Sequence, residues 1–518
     1  MPGRRLARGR RLAGRSPGGP EVTPRPAALL TPLVTVKARL ERAPAHALGF
    51  RVALVVGLFF LSVITRGHFA GSGDAPHYMM IAHSIAFDRD LDLRNNYADP
   101  ENPIGRGTLP PDLHAREGVG GLLRPVHDVG LPLLAAPYYY VAAKVARLVP
   151  LLPEGVRRKT RLDEWIALRQ LMSMLVIGIA AVLAAAALPL GGDASTSKTA
   201  AALGTVLWSV SPPLFPHSFM FIPEVPTALL AVALVLLLQR RALSTHLRAF
   251  AGGCLVGYLV LLHVRNVGLS FGLSVLYLWE YRRQRRFALA FAIGLALVLG
   301  ARLALNEHLW GAAVFSPHVR AGGWPGLGDL TREAGLRFGG LLLDQRHGLL
   351  PYAPIYLLAP LGWVLLRRQD RPLATAIAVL VTSYCLPLLL PVTNVHGWRG
   401  GWSPPARFLV PVLPLVAIGV AKALDTARAR WLAGAIVLAQ LALDAVFWWR
   451  PMLLWNEGAG PGRAFEVILG GWLAKRLPSW RPDGDGLFLL TGGFCALWLG
   501  ATFWLGRRLE TQQRPGAA

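Results

Sequence analysis

The sequence predicts an all-α polytopic membrane protein with about 11–13 transmembrane helices, and three observations carry that reading. The 518 residues are 53% hydrophobic and only 16% charged, against about 25% charged in soluble domains. The apolar residues fall into continuous runs near the ~20 residues that cross a bilayer. Basic clusters then bracket many of those runs, as cytoplasmic loops and headgroups require. The net charge is +25, from 54 Lys and Arg against 29 Asp and Glu. No zinc ribbon, base-reading helix or aromatic-basic sheet pattern accompanies it, so nucleic acid is not an expected partner. Membrane lipids are.

The leader, 1–47, is basic, rich in Pro and Gly, and has no apolar core. It reads as a disordered cytoplasmic tail rather than a signal peptide. Apolar segments follow near 48–66, 129–149, 166–190, 199–215, 222–239, 249–264, 267–280, 287–304, 350–367, 372–391, 406–423, 431–449 and 484–505. The runs are continuous rather than alternating, which excludes a strand barrel. Residues 506–518 read as a second cytoplasmic tail. Cys254, Cys385 and Cys495 lie in apolar stretches and read as small buried hydrophobes.

Arg240, Arg241 and Arg248, then Arg282, Arg283, Arg285 and Arg286, then Arg367, Arg368 and Arg371, and finally Arg507 and Arg508 mark the inner side. That placement puts 68–128, 305–349, 392–405 and 450–483 outside. Four crossings between 128 and 240 would leave Arg240 on the wrong side. One of those segments therefore does not cross, and 199–215, short and ending near Ser211-Pro212-Pro213, is the one its position singles out.

The 61-residue loop 68–128 is far longer than a helix connection needs. It holds nine acids and five of the 13 histidines. Asp74 opens its ordered part, and 75–85 reads as a short interfacial helix with Pro76 in its first turn. Residues 87–97 alternate like an extended segment, with acids at 88, 90 and 92. Two readings of Asp74 stand at this point: a helix cap, or a base or cation-holding carboxylate at the headgroup boundary.

Other polar groups sit where apolar runs begin. Glu224 lies between Pro223 and Pro226 at the head of a span, where an acid is costly. With His217 it is a candidate for metal or acceptor contacts, or else a cap favoured by the helix dipole. Arg265, in His263-Val264-Arg265-Asn266, suits a phosphate, since guanidinium matches phosphate oxygens bidentately, or else it snorkels to the headgroups. Arg346 and His347 precede the span at 350 and are candidates for phosphate or acceptor binding, or else belong to a solvated linker. His396, Trp398 and Trp402 precede Arg407, which again calls for an anion or a buried acid. Trp rings suit the interfacial belt and also stack on sugars.

The stretch Gly-Asp-Ala-Pro-His-Tyr at 73–78, followed by Asp-Arg-Asp-Leu-Asp-Leu-Arg-Asn-Asn-Tyr at 88–97, resembles the polytopic GT-C glycosyltransferases, among them protein O-mannosyltransferases and aminoarabinose transferases. The layout of a basic leader, one span and an acid-led outer loop is similar as well. The resemblance implies a GT-C-like helical bundle over 48–505 in a bacterial cytoplasmic membrane, acting on its outer face. It implies transfer of a sugar from a polyprenyl-phosphate donor to an extracytoplasmic acceptor, with inversion. Asp74 takes the place of the catalytic base or metal-side carboxylate. Ala75 stands where the family often has a second acid. Arg265, Arg407 and Arg346 are then expected at the donor phosphate. His77, Tyr78, Glu224, His347, His396 and Trp402 are expected at acceptor or sugar, and a divalent ion would lie at Asp74, His217 and Glu224. A multi-pass transporter or flippase is the alternative, since transporters also use many helices and internal charges.

Overall fold

Among the described residues of the computed structural model, five helices are long and apolar enough to cross a bilayer: Ala45–Ile64, Glu164–Ala194, Arg285–Trp310, Arg371–Leu389 and Trp431–Trp449. The structure describes residues 40–66, 73–194, 197–240, 242, 245–314, 327–390, 398–426, 430–456, 461–479 and 485–511. His396, nearly all of the leader and most of the last tail lie outside these. The protein is a largely helical, multi-pass, membrane-type chain.

In order, the main helices are α1 (Ala45–Ile64), α2 (Ala75–His83), α3 (Gly130–Ala146), α4 (Glu164–Ala194), α5 (Lys198–Val210), α6 (Glu224–Gln239), α7 (His246–Leu262), α8 (Val267–Glu280), α9 (Arg285–Trp310), α10 (Leu327–Leu343), α11 (Ala359–Gln369), α12 (Arg371–Leu389), α13 (Leu413–Leu424), α14 (Arg430–Trp449) and α15 (Asp485–Thr511). Hydrocarbon leaves no water for backbone groups, so apolar runs satisfy them internally as helix. Side-chain caps mark several starts: Ser197 accepts from the Ala200 amide, Thr245 from Arg248 and Asp370 from Leu373.

All thirteen apolar runs hold helix, but fewer are long enough to cross unaided than the expected 11–13. Proline accounts for part of the shortfall. The run at 350–367 spends Pro354–Leu358 in a 3₁₀ turn before α11, and the run at 406–423 spends Arg407–Leu409 likewise before α13. Each lost turn shortens the rod, at 1.5 Å per helical residue. The expected outer loop 305–349 is not all loop, since it contains α10.

Contacts also identify a segment that does not run the length of the bundle. Gly130, at the start of α3, lies against Leu261 and Leu262 at the end of α7. Further along α3, the Tyr138 hydroxyl donates to Leu171 O at 2.8 Å. Nearby, Ser173 donates to Phe219 O at 2.6 Å, close to the start of α6. At its far end Lys144 lies 5.8 Å from the Phe87 ring. So α3 lies along the Asp74 end of the bundle, packed on α2. The segment 129–149, rather than 199–215, breaks the count, and Arg240 returns to the end that carries Arg367 and Arg368.

The Asp74 loop also departs from expectation. Residues 84–88 form a π-helical turn and 94–98 a turn of α-helix, so 87–97 is not an extended segment. The acids serve local backbone and side-chain bonds. Asp90 accepts from Ser84 and from the Asp92 amide, while Asp92 accepts from the amides of Arg94 and Leu123. Helix α2 is buried on every side from His77 to His83, whereas an interfacial helix would keep one wet face.

Candidate functional site

The sequence of α2 explains how Asp74 comes to face inward. Pro76 fits the first turn, and Asp74 occupies the N-cap position, yet its carboxylate makes no capping bond. It turns instead to Arg407, whose Nη1 lies 2.5 Å from Asp74 Oδ2. Arg407 Nε in turn donates to Glu224 Oε1 at 2.6 Å. Arg265 Nη1 stands 4.0 Å from the same Glu224 oxygen. Two carboxylates and two guanidiniums, from four separate parts of the chain, thus meet at one end of the bundle.

Each is delivered by a helix end. Glu224 is the first residue of α6, after Pro223. Arg265 sits in the 3₁₀ turn between α7 and α8, which Asn266 fixes by donating to Thr227 Oγ1 and Leu259 O, both at 2.9 Å. Arg407 follows Ala406, which holds a left-handed conformation at φ 52°. That region costs a non-glycine residue roughly 1–2 kcal/mol. The Ala406 amide donates to His347 O at 2.8 Å, which holds the turn, and Arg407 Nη1 also reaches Gly400 O at 3.3 Å. The Phe408 ring lies 3.4 Å below the Arg265 guanidinium, a cation–π contact that replaces lost hydration.

The arrangement sets the protonation of Asp74. Burial works against its charge, but the Arg407 guanidinium, with His127 and His114, holds the carboxyl well below the usual carboxylate range. Three buried polar atoms nearby lack a hydrogen-bond partner: Tyr78 Oη, His217 Nε2 and Glu224 Oε2. Orphaned polar atoms of this kind mark places built for water or for a polar ligand.

A histidine group lies on the other side of Asp74. A two-stranded hairpin, β1 (Ala115–Glu117) and β2 (Leu123–Pro125), pairs Ala115 with Pro125 and Glu117 with Leu123. The Val126 amide donates to His114 O at 3.0 Å and extends the ladder. Just beyond this ladder His114 and His127 come together, with His114 Nδ1 2.7 Å from His127 Nε2. His114 Nδ1 also lies 3.8 Å from Asp74 Oδ1. One ligating atom from each of Asp74, His114 and His127 falls within 4.8 Å of the others, a set that could hold a divalent ion. His77 stacks on His114 with ring centroids 3.6 Å apart and shares a hydrogen bond of 2.6 Å with Tyr97. Burial and the two neighbouring imidazoles push His77 down to about 3, so its ring is neutral.

A further ion pair braces this end. Arg302 of α9 reaches Asp128 Oδ1 at 2.5 Å, and Asp128 Oδ2 accepts from the Val264 amide at 2.7 Å. It thereby ties the end of the Asp74 loop to the Arg265 turn.

The expected residues are therefore brought together in part. Asp74, Glu224, Arg265 and Arg407 share one cluster, with Tyr78 and His217 at its edge. The expected ion site of Asp74, His217 and Glu224 is not formed: among the described residues the ligating atoms that converge on Asp74 are those of His114 and His127, not those of His217 and Glu224. Arg346 Nε donates to Pro461 O at 2.8 Å, which binds one loop to another. His347 contributes backbone bonds to Asp344 and Ala406. Trp402 is more than a third exposed. His114 and His127 are additions that sequence reasoning missed. Their signal was the histidine count of the loop and the Gly-rich turn at 118–121 between them.

No protein family matches this sequence, and no curated protein is similar to it.

Proposed function

We propose that the protein is a GT-C-type glycosyltransferase that moves a sugar from a polyprenyl-phosphate donor to an acceptor on the extracytoplasmic face of a bacterial cytoplasmic membrane. The observation that carries this reading is the Asp74–Arg407–Glu224–Arg265 cluster at one end of a membrane-type bundle. Transfer of this kind needs an acid–base group beside a cationic site for a leaving phosphate, and the cluster supplies both.

Asp74 paired with Arg407 is a weak base, because its charge is already stabilised. A donor phosphate competes for Arg407 and Arg265, and each guanidinium that turns toward it loosens its hold on a carboxylate. Donor binding thus raises the basicity of Asp74 at the moment a base is required. The acceptor hydroxyl then gives its proton to Asp74 as its oxygen bonds the anomeric carbon. The bond from that carbon to the phosphate oxygen breaks, and polyprenyl monophosphate leaves with the electron pair. Arg265 and Arg407 offset the charge that develops there. The orphaned atoms of Tyr78, His217 and Glu224 are partners for sugar or acceptor hydroxyls.

The test is transfer of radiolabelled sugar from polyprenyl-phosphate donors by membranes bearing the wild type or Asp74→Asn. Loss of a general base lowers the rate by about 10²–10⁴-fold. Equal turnover at equal expression rejects Asp74 as the base. Solute uptake into proteoliposomes with no covalent transfer replaces the enzyme reading with a transporter.

A further inference from the structure

We propose that Asp74 Oδ1, His114 Nδ1 and His127 Nε2 form a binding site for a zinc-class transition-metal ion. The inference concerns ion binding alone and stands whether or not the chain transfers sugar.

The donor set points to the metal. Two imidazole nitrogens and one carboxylate oxygen suit zinc and its neighbours, whereas magnesium and calcium call for six or more oxygens. The spacing fits as well. Zinc bonds nitrogen at about 2.0–2.1 Å, so tetrahedral ligand atoms stand about 3.3 Å apart. His114 Nδ1 and Asp74 Oδ1 are 3.8 Å apart, and the two imidazole nitrogens 2.7 Å. Closing on an ion moves one pair together and the other apart, each by roughly 0.5 Å, which is within reach of side-chain rotation alone.

The surroundings hold the ligands in orientation, as outer-shell groups do around metals. His77 lies flat on His114, and Tyr78 stacks on His127 with centroids 4.6 Å apart. Arg407 binds only Oδ2 of Asp74, which leaves Oδ1 directed at His114. The backbone bond from the Val126 amide to His114 O ties the two histidine segments together beside the hairpin. Three protein ligands leave at least one coordination position open to water or to a ligand oxygen, the pattern of reactive rather than structural zinc sites.

The experiment uses the full-length protein in detergent, stripped by chelator and titrated with Zn²⁺ against a chromophoric competitor. The expected result is one tight equivalent per chain, with Mg²⁺ and Ca²⁺ unable to displace it. His114→Ala combined with His127→Ala should weaken that equivalent by more than about 100-fold, beyond the usual effect of an outer-shell change. An unchanged titration in the double variant overturns the proposal, as does the absence of a tight equivalent in the wild type. Co²⁺ added to the wild-type chain needs no variant. The intense visible bands of four-coordinate Co²⁺ support the site, and the weak spectrum of six-coordinate Co²⁺ rejects it.

Discussion

Arg302, on a helix otherwise largely turned outward, meets Asp128 at 2.5 Å and donates to Val260 O at 2.8 Å through its other nitrogen. Both side chains are nearly buried. Removing one partner of such a pair strands the other charge and costs about 3–5 kcal/mol. Asp128→Ala should therefore lower the thermal denaturation midpoint in detergent sharply. Replacing both residues, Asp128→Asn with Arg302→Met, should recover part of the loss. If the double replacement is as unstable as the single one, the pair is not the source of the effect.

The central cluster makes a related prediction with a different sign structure. Arg407 neutralises two acids, so Arg407→Met should be more damaging than Glu224→Gln, which keeps shape and a hydrogen-bond acceptor. The expected costs are about 3–5 kcal/mol for the first and about 1–2 kcal/mol for the second. Side-by-side denaturation curves decide it, and equal midpoints for the two variants would show that Arg407 does not carry both acids.

Ala406 offers a test of backbone strain. Its left-handed conformation costs alanine roughly 1–2 kcal/mol, and glycine avoids this at an unfolded-state cost of about 0.4–1 kcal/mol. Ala406→Gly is therefore expected to be neutral or mildly stabilising. Ala406→Val should be clearly destabilising, because a β-branched residue is a poor fit for that region. A valine variant as stable as glycine would mean that the turn before Arg407 is not held in this form.

Helices α7 and α9 supply a packing prediction. Gly253 of α7 abuts the α9 backbone at Phe291, and Gly294 of α9 abuts that of α7 at Phe250. A methyl group at either place would collide with main-chain atoms that cannot turn aside. Gly294→Val is expected to cost about 1–3 kcal/mol or more through forced separation. Gly300→Ala, at a position with open space around it, is the control and should behave as wild type in size-exclusion and melting profiles.

Much of the site was legible residue by residue, and little of it as an arrangement. Asp74, Glu224, Arg265 and Arg407 each stand out because a charge beside an apolar run needs compensation. That they compensate one another depends on which helix ends are neighbours, and no local pattern in one sequence carries that. For Asp74 the sequence left a cap and a charged site both open, and tertiary competition decides against the cap. Its position is that of a cap, but a guanidinium outbids a backbone amide for the carboxylate. The histidine pair was missed because strands of three residues are too short for alternation to register, although Gly118, Gly120 and Gly121 marked the turn. Helix positions followed from apolar runs, whereas helix lengths depended on where the backbone tightened into 3₁₀ turns, at Pro354–Leu358 and Arg407–Leu409.

The glycine contacts between α7 and α9 bear on how a bulky molecule could enter. Main chain rests on main chain there, at Gly253 and Gly294, with Gly257 against Val298 completing the line. Where backbone meets backbone at Gly253 and Gly294 there is no side chain to rotate, so the two rods travel as one plank. A lateral gate cannot open along that line. If the proposed lipid-linked donor is the substrate, a disulfide engineered across that line should leave sugar transfer unchanged, and lost transfer would show that the plank does part.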